Sequence, residues 1–326
     1  MRSFLRTARP AVGALLAGGA GTCASCHGPD GADARIARLE KQVAALTGQL
    51  AAQFDVLPTT GQGEAVFSWE QELSACFPEA AREFEKDMHG GFHEDPDTGF
   101  VYTGIPGFGL CEISPDLRAW RVLGADPRLR ANVHGLVCFQ HGEVTRLALA
   151  QNEDERVLIV GLDGTVHQQL DAPRGGEFAF AEANAYYSAR PIKQLPNGAP
   201  HRAKFACTDV TYLDGVLFVV TGYCDGDFVL TAREERGAWR WGPLAWGGKG
   251  DGAAQFRTAH GIFAYDDRIF VANREAHQVI EFTKAGELVR HLPDIPDGAR
   301  ICNVARTNEY VASVALSHCP LWFLSR

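Results

Sequence analysis

The chain has 326 residues, 46% apolar and 22% charged, an ordinary globular composition with enough length for a sizeable core. A net charge of −9 with no basic block argues against nucleic acid as a partner. Nine cysteines are an odd number, so a fully paired intramolecular set is excluded and at least one thiol is free or intermolecular.

Residues 1–29 carry Arg2, Arg6 and Arg9, no acidic residue before Asp30, and a small-residue apolar run from Ala11 to Gly21. That pattern suits a secretory signal peptide or an organelle transit segment and is short for a membrane span. The expected location is the secretory pathway or the exterior, with an organelle as the alternative. No later segment approaches transmembrane length. Within this stretch Cys23-Ala24-Ser25-Cys26-His27 matches the c-type haem attachment pattern. Only Met1 and Met88 could offer an axial sulfur, and a heptad helix follows at once instead of a cytochrome fold. Haem c is therefore disfavoured against a chance or disulfide pair.

Residues 30–54 are predicted to form a short coiled-coil helix. Ile36, Leu39, Val43, Leu46 and Leu50 alternate at spacings of three and four, with Arg35, Arg38, Glu40 and Lys41 on the solvated positions. Three heptads are marginal alone, so residues 33–53 are expected to make a homo-oligomer or to pack on the following domain. An amphipathic linker helix is the equal alternative.

Leu57 to Gly63 reads as a linker and Trp69 to Lys86 as helical. From about residue 88, runs of four to seven strand-forming residues alternate with Gly, Asp, Asn and Pro turns up to the C-terminus. One whole unit is plain. The glycine-rich stretch Gly247 to Phe256 leads into Ala259-His260-Gly261-Ile262, then Ile269-Phe270-Val271-Ala272-Asn273-Arg274, then Gln278 to Phe282. Short strands at this spacing predict a propeller blade. Units begin near His89, His134, Cys207, His260 and Cys302. The His134–Cys207 interval is much longer than the usual blade repeat of about 40 to 50 residues. Its excess lies in the proline-rich 172–206, read as an inserted loop. Residues 55–326 are thus expected to be an all-β β-propeller of five or six blades, a sixth needing 55–87, with Ala65 to Trp69 closing the ring beside the last blade.

His134-Gly135-Leu136 and His260-Gly261-Ile262 place a histidine at the same point of two blades, where innermost strands line a central axis. Met88-His89-Gly90-Gly91-Phe92-His93 opens another blade in the same way, so His89, or else His93, is the candidate third imidazole. Three converging imidazoles make an open metal site. The alternative for each is a satisfied structural histidine. Tyr223 and Arg274 end corresponding second strands, where a phenol near a metal can serve as a base and a guanidinium can hold a carboxylate. A rim tyrosine and a blade-to-blade ion pair are their structural alternatives.

Residues 134–292 resemble the six-bladed propeller of peptidyl-α-hydroxyglycine α-amidating lyase and its NHL-repeat relatives. The resemblance is carried by Val133-His134-Gly135-Leu136, by Phe205 to Val210 with Gly222-Tyr223-Cys224-Asp225, and by Ala259-His260-Gly261-Ile262 with Val271 to Glu275. It implies zinc, with calcium as the alternative, held by His134, His260 and a third histidine. The family takes that third ligand from its last blade; here His89 or His93 would stand in. It also implies Tyr223 as the proton-transfer group, Arg274 as the grip on a substrate carboxylate, and a Cys207–Cys224 disulfide. The family's first-blade substrate arginine has no clear match. The implied activity is a zinc lyase that cleaves a small-molecule or peptide α-hydroxy amide to an amide and glyoxylate. The alternative is a non-catalytic NHL-type propeller that scaffolds protein interactions.

Overall fold

The computed structural model describes residues 4–5, 59–60, 67–70, 79–84, 91–173, 190–194, 200–203, 205–224, 226–292, 300–306, 310–315 and 321–325. The expected coiled coil, Cys23 to His27, and His89 lie outside them. The chain divides into two compact units, Met1–Ala75 and Cys76–Arg326.

In the first unit the strands β1 (Phe4–Leu5), β2 (Thr59–Thr60) and β3 (Phe67–Glu70) form a sheet in the order β1-β3-β2. The strand expected at 65–69 to close a ring therefore exists, but it pairs with β1 and β2. Of the helix expected over Trp69 to Lys86, Trp69 lies in β3 and Glu79–Arg82 is helical.

The second unit is nearly all β. Its first sheet contains β4 (Phe92–Glu94), β5 (Val101–Ile105), β6 (Gly109–Ile113) and β7 (Trp120–Leu123). The second contains β8 (Gly135–His141), β9 (Val144–Gln151), β10 (Arg156–Gly161) and β11 (Val166–Asp171). A separate hairpin, β12 (Arg190–Gln194) with β13 (Pro200–Ala203), lies within the expected insertion. The third sheet is β14 (Cys207–Leu213), β15 (Val216–Thr221), β16 (Phe228–Glu235) and β17 (Ala238–Gly247). The fourth is β18 (Ala259–Tyr265), β19 (Arg268–Asn273), β20 (Gln278–Thr283) and β21 (Leu288–His291). The last described sheet has three strands, β22 (Ile301–Arg306), β23 (Tyr310–Ala315) and β24 (Leu321–Ser325). Each is an antiparallel meander with its strands in chain order, and each begins within a few residues of an expected unit start.

Hairpin chemistry explains the meanders. Asp214 and Gly215 join β14 to β15 with φ of 49° and 79°, the left-handed pair that a two-residue hairpin turn requires. Packing explains why the sheets stack face to face. Along β8 the two-residue period sends Leu136 and Cys138 into one core, with Leu110 and Leu123 of the first sheet. The alternate residues Val137 and Phe139 enter another, with Val210, Leu217 and Trp239 of the third. Further cores join the third sheet to the fourth through Val220, Phe256 and Ile262, and the fourth to the fifth through Phe270, Val279 and Ile301. Sheets buried on both faces must be apolar throughout their middle strands, and every residue of Val216–Thr221 is buried. The first strands touch in succession, β4 to β8 to β14 to β18 to β22. This is a propeller-like arrangement, and it brings the strand-start residues of different sheets together. Among the described residues no helix is long and apolar enough to cross a membrane.

Candidate functional site

A repeated irregularity builds the site. At the start of β14, β18 and β22 the pairing register shifts between Cys207 and Asp209, between Ala259 and Gly261, and between Ile301 and Asn303. The skipped residues are Thr208, His260 and Cys302. Bulges of this kind re-aim a side chain or carbonyl out of the ladder. His134 stands just ahead of β8, its backbone N–H donating to Ala150 O at 2.8 Å.

Glycine follows each histidine for a steric reason. A Cβ on Gly135 would lie 2.6 Å from Asp209 Cα, and one on Gly261 would lie 2.7 Å from Cys302 O. The first strands approach too closely there for any side chain. Between them, Asp209 ties three sheets together. Its buried carboxylate abuts Gly135, accepts the Val210 N–H at 2.9 Å and accepts the Ile262 N–H of β18 at 3.0 Å. Burial pushes the Asp209 carboxyl up to about 7, against the pull of those two backbone donors.

The two imidazoles meet. The His134 and His260 ring centroids are 4.8 Å apart, and both residues are buried. His134 Nδ1 lies 2.6 Å from Thr208 O, and His260 Nδ1 lies 2.7 Å from Cys302 O. A carbonyl oxygen only accepts, so each Nδ1 carries the proton and each Nε2 presents its lone pair. Tyr223 Oη lies 2.7 Å from His260 Nε2, and Arg274 Nη1 lies 2.5 Å from Tyr223 Oη. Arginine only donates, so the phenol accepts from Arg274 and donates its own O–H to His260 Nε2. The result is a directed chain from Arg274 through Tyr223 and His260 to Cys302 O.

Tyr223 is held there at some cost. Its φ of 59° is left-handed, an outlier for a bulky residue and a form of strain that concentrates at functional positions. The preceding Gly222 packs onto β18, where a Cβ would lie 2.5 Å from Ala259 O, which fixes Tyr223 beside His260. The Arg274 guanidinium also lies 4.7 Å over the Tyr223 ring. Burial pushes the Tyr223 phenol above its usual value, and the Arg274 charge works in the opposite direction.

Arg274 is the first residue of the 3-10 turn Arg274–Ala276 that follows β19. Its Nε and Nη2 each lie 3.0 Å from Glu275 Oε1, and Arg300 Nε lies 3.4 Å from Glu275 Oε2. Sequence reading did not single out Glu275, Arg300 or Asp209. Nor could it find the carbonyls of Thr208 and Cys302, because a backbone oxygen has no residue signature.

For a zinc ion the donor set is half supplied. Imidazoles that ligate metal commonly donate their other ring N–H to a backbone carbonyl, as His134 and His260 both do here. Among the described residues no group of three or more His, Cys, Asp or Glu side chains is placed to hold a metal. His93 is part of no such group. It lies inside β4, opposite Tyr102, past the strand-start position that His134 and His260 occupy, and burial lowers its pKa to about 4. His89 lies outside the described residues. The Cys207–Cys224 disulfide is not formed: both residues are buried thiols, and Cys207 Sγ donates to Arg156 O at 3.0 Å.

No family model and no curated protein matches this chain. Among solved structures it is similar to the computationally designed Ika4 protein, with 12% identity and a TM-score of 0.37 over 62% of this chain and 96% of that one. It is also similar to a chain of a nidogen/laminin complex, with 11% identity and a TM-score of 0.45 over 69% of this chain and 71% of that one.

Proposed function

We propose that the second unit is a β-propeller of NHL type. In this reading it carries a zinc-dependent lyase that cleaves a peptidyl-α-hydroxyglycine-like α-hydroxy amide to the amide and glyoxylate. One observation carries the reading. A half-buried tyrosine in a left-handed conformation connects a histidine of a two-imidazole pair to an arginine at the rim, through contacts of 2.7 and 2.5 Å. A scaffold that binds partners on its surface has no use for such a chain.

His134 and His260, with His89, would hold the metal, which when bound supplies Lewis-acid polarisation of the substrate hydroxyl. Arg274 binds the substrate carboxylate and so sets the α-hydroxyl near Tyr223. Tyr223, as the phenolate, takes the hydroxyl proton as the C–O bond becomes C=O. The C–N bond breaks with its electron pair going to nitrogen, and the amide nitrogen takes up a proton. Atoms balance without water: one carbinolamide gives one amide and one glyoxylate. The raised phenol pKa sets the requirement for a nearby cation, which Arg274 meets in part.

The test is glyoxylate release from an α-hydroxyglycine amide by the zinc-loaded chain, with Tyr223→Phe as control. The reading expects turnover that the variant loses by at least about a hundredfold, the usual worth of a positioned general base. Turnover unchanged in Tyr223→Phe, or no release by a chain that does hold zinc, removes it.

A further inference from the structure

The rim of the site holds two guanidiniums on one carboxylate. Glu275 Oε1 accepts from Arg274, and Glu275 Oε2 faces Arg300 across 3.4 Å. From inside outward the order is His260, Tyr223, Arg274, Glu275, Arg300. Side-chain exposure rises along it from 13% at Arg274 to 33% at Glu275 and 57% at Arg300. Two positive charges and one negative leave a net positive charge over the phenol. Glu275 sits on a short 3-10 turn and is a third exposed, so its carboxylate can turn to solvent without disturbing a core.

We infer that Glu275 is a resident counter-ion that holds the place of a ligand carboxylate. Arg300 is then the second guanidinium of an anion clamp that selects small α-hydroxy or α-oxo carboxylates. Arginine offers adjacent N–H donors to carboxylates, and Arg274 Nε and Nη2 already converge on one oxygen of Glu275, Oε1, leaving Oε2 to Arg300. A ligand carboxylate that displaces Glu275 would span Arg274 and Arg300, and its α-oxygen would then face Tyr223, which touches Arg274 at 2.5 Å. Arg300 comes from the residue just ahead of β22, not from the first sheet, so the clamp joins the fourth and fifth sheets. This inference rests on the carboxylate-binding role proposed for Arg274 and adds its partner, its competitor and its ligand class.

Ligand-observed NMR titration of the full-length chain, stripped of metal, with glycolate and with its neutral isostere glycolamide tests this directly. The wild type should bind glycolate at least about tenfold more tightly than glycolamide, the worth of a charge-assisted pair. Glu275→Gln, which removes the competitor, should tighten glycolate by about tenfold. Arg300→Gln should weaken glycolate by a similar factor while leaving glycolamide unchanged, and Arg300→Lys should recover part of the loss. Equal binding of the two ligands, no glycolate binding, or a Glu275→Gln variant that weakens glycolate overturns the clamp. None of these readouts needs turnover. A chain that binds in this pattern yet releases no glyoxylate keeps the clamp and loses the lyase. One that releases glyoxylate with a KM indifferent to Arg300→Gln keeps the lyase and loses the clamp.

Discussion

The phenol of Tyr223 donates to His260 Nε2 across 2.7 Å, and that nitrogen is the one a zinc ion would need. The other ring nitrogen is already committed to Cys302 O. Metal ligation by His260 and the Tyr223–His260 hydrogen bond are therefore mutually exclusive, and the metal-free chain keeps its proposed base tied to its proposed ligand.

Zinc titration followed by tyrosine ultraviolet absorbance should register that exchange. Tyr223→Phe removes the competing hydrogen bond and should bind zinc roughly fivefold more tightly, a net effect of about 1 kcal/mol. Weaker zinc binding in Tyr223→Phe would mean that the phenol supports the metal instead of competing with it.

Arg274 should set the pH at which Tyr223 works. Burial raises the phenol pKa and the Arg274 charge lowers it, so the phenolate form is gained only as pH rises. A reaction that uses Tyr223 as base should show activity increasing with pH on its acid limb. Arg274→Gln removes the lowering influence and should move that limb to higher pH. A limb that stays in place, with only KM changed, would confine Arg274 to substrate binding.

Asp209 should give the fold an inverse dependence on pH. Its carboxyl is raised from 3.8 to about 7 in the folded chain, so the stability it contributes is fully present below about 3.8 and is lost as pH rises through about 7. Asp209→Asn keeps a side-chain acceptor but presents an NH₂ group to one of two backbone donors. It should cost about 1–3 kcal/mol at low pH and show less decline between pH 4 and pH 7. Urea midpoints at the two pH values check this, and a wild-type decline that persists undiminished in Asp209→Asn would contradict it.

Gly135→Ala should damage fold and site together. The added methyl would sit 2.6 Å from Asp209 Cα, backbone that cannot step aside, so a loss of about 1–3 kcal/mol is expected. The shift would pull His134 away from Thr208 O. A variant as stable as wild type by urea denaturation would show that β8 and β14 separate freely.

The legible parts of the chain are those whose physics is local. Turn residues such as Asp214-Gly215 and apolar runs such as Val216–Thr221 mark the sheets, because hairpin geometry and burial on both faces each demand particular residue types. The His-Gly pairs at His134 and His260 were visible because only glycine tolerates the close approach of neighbouring first strands. What escaped was non-local. The bulges at Thr208, His260 and Cys302 have no shared residue type, and the carbonyls they present are the same in every residue. Glu275 and Arg300 meet only because two sheets adjoin. His93 looked as eligible as His89 in sequence, and it lies inside β4, paired opposite Tyr102.

Equilibrium zinc titration of the chelator-stripped full chain, read by elemental analysis of the wild type, His134→Ala and His260→Ala, bears most directly on the site. Uptake of a single zinc equivalent per chain that both substitutions abolish is the predicted result. A chain that takes up no zinc, or that binds it equally well without either imidazole, would contradict the account.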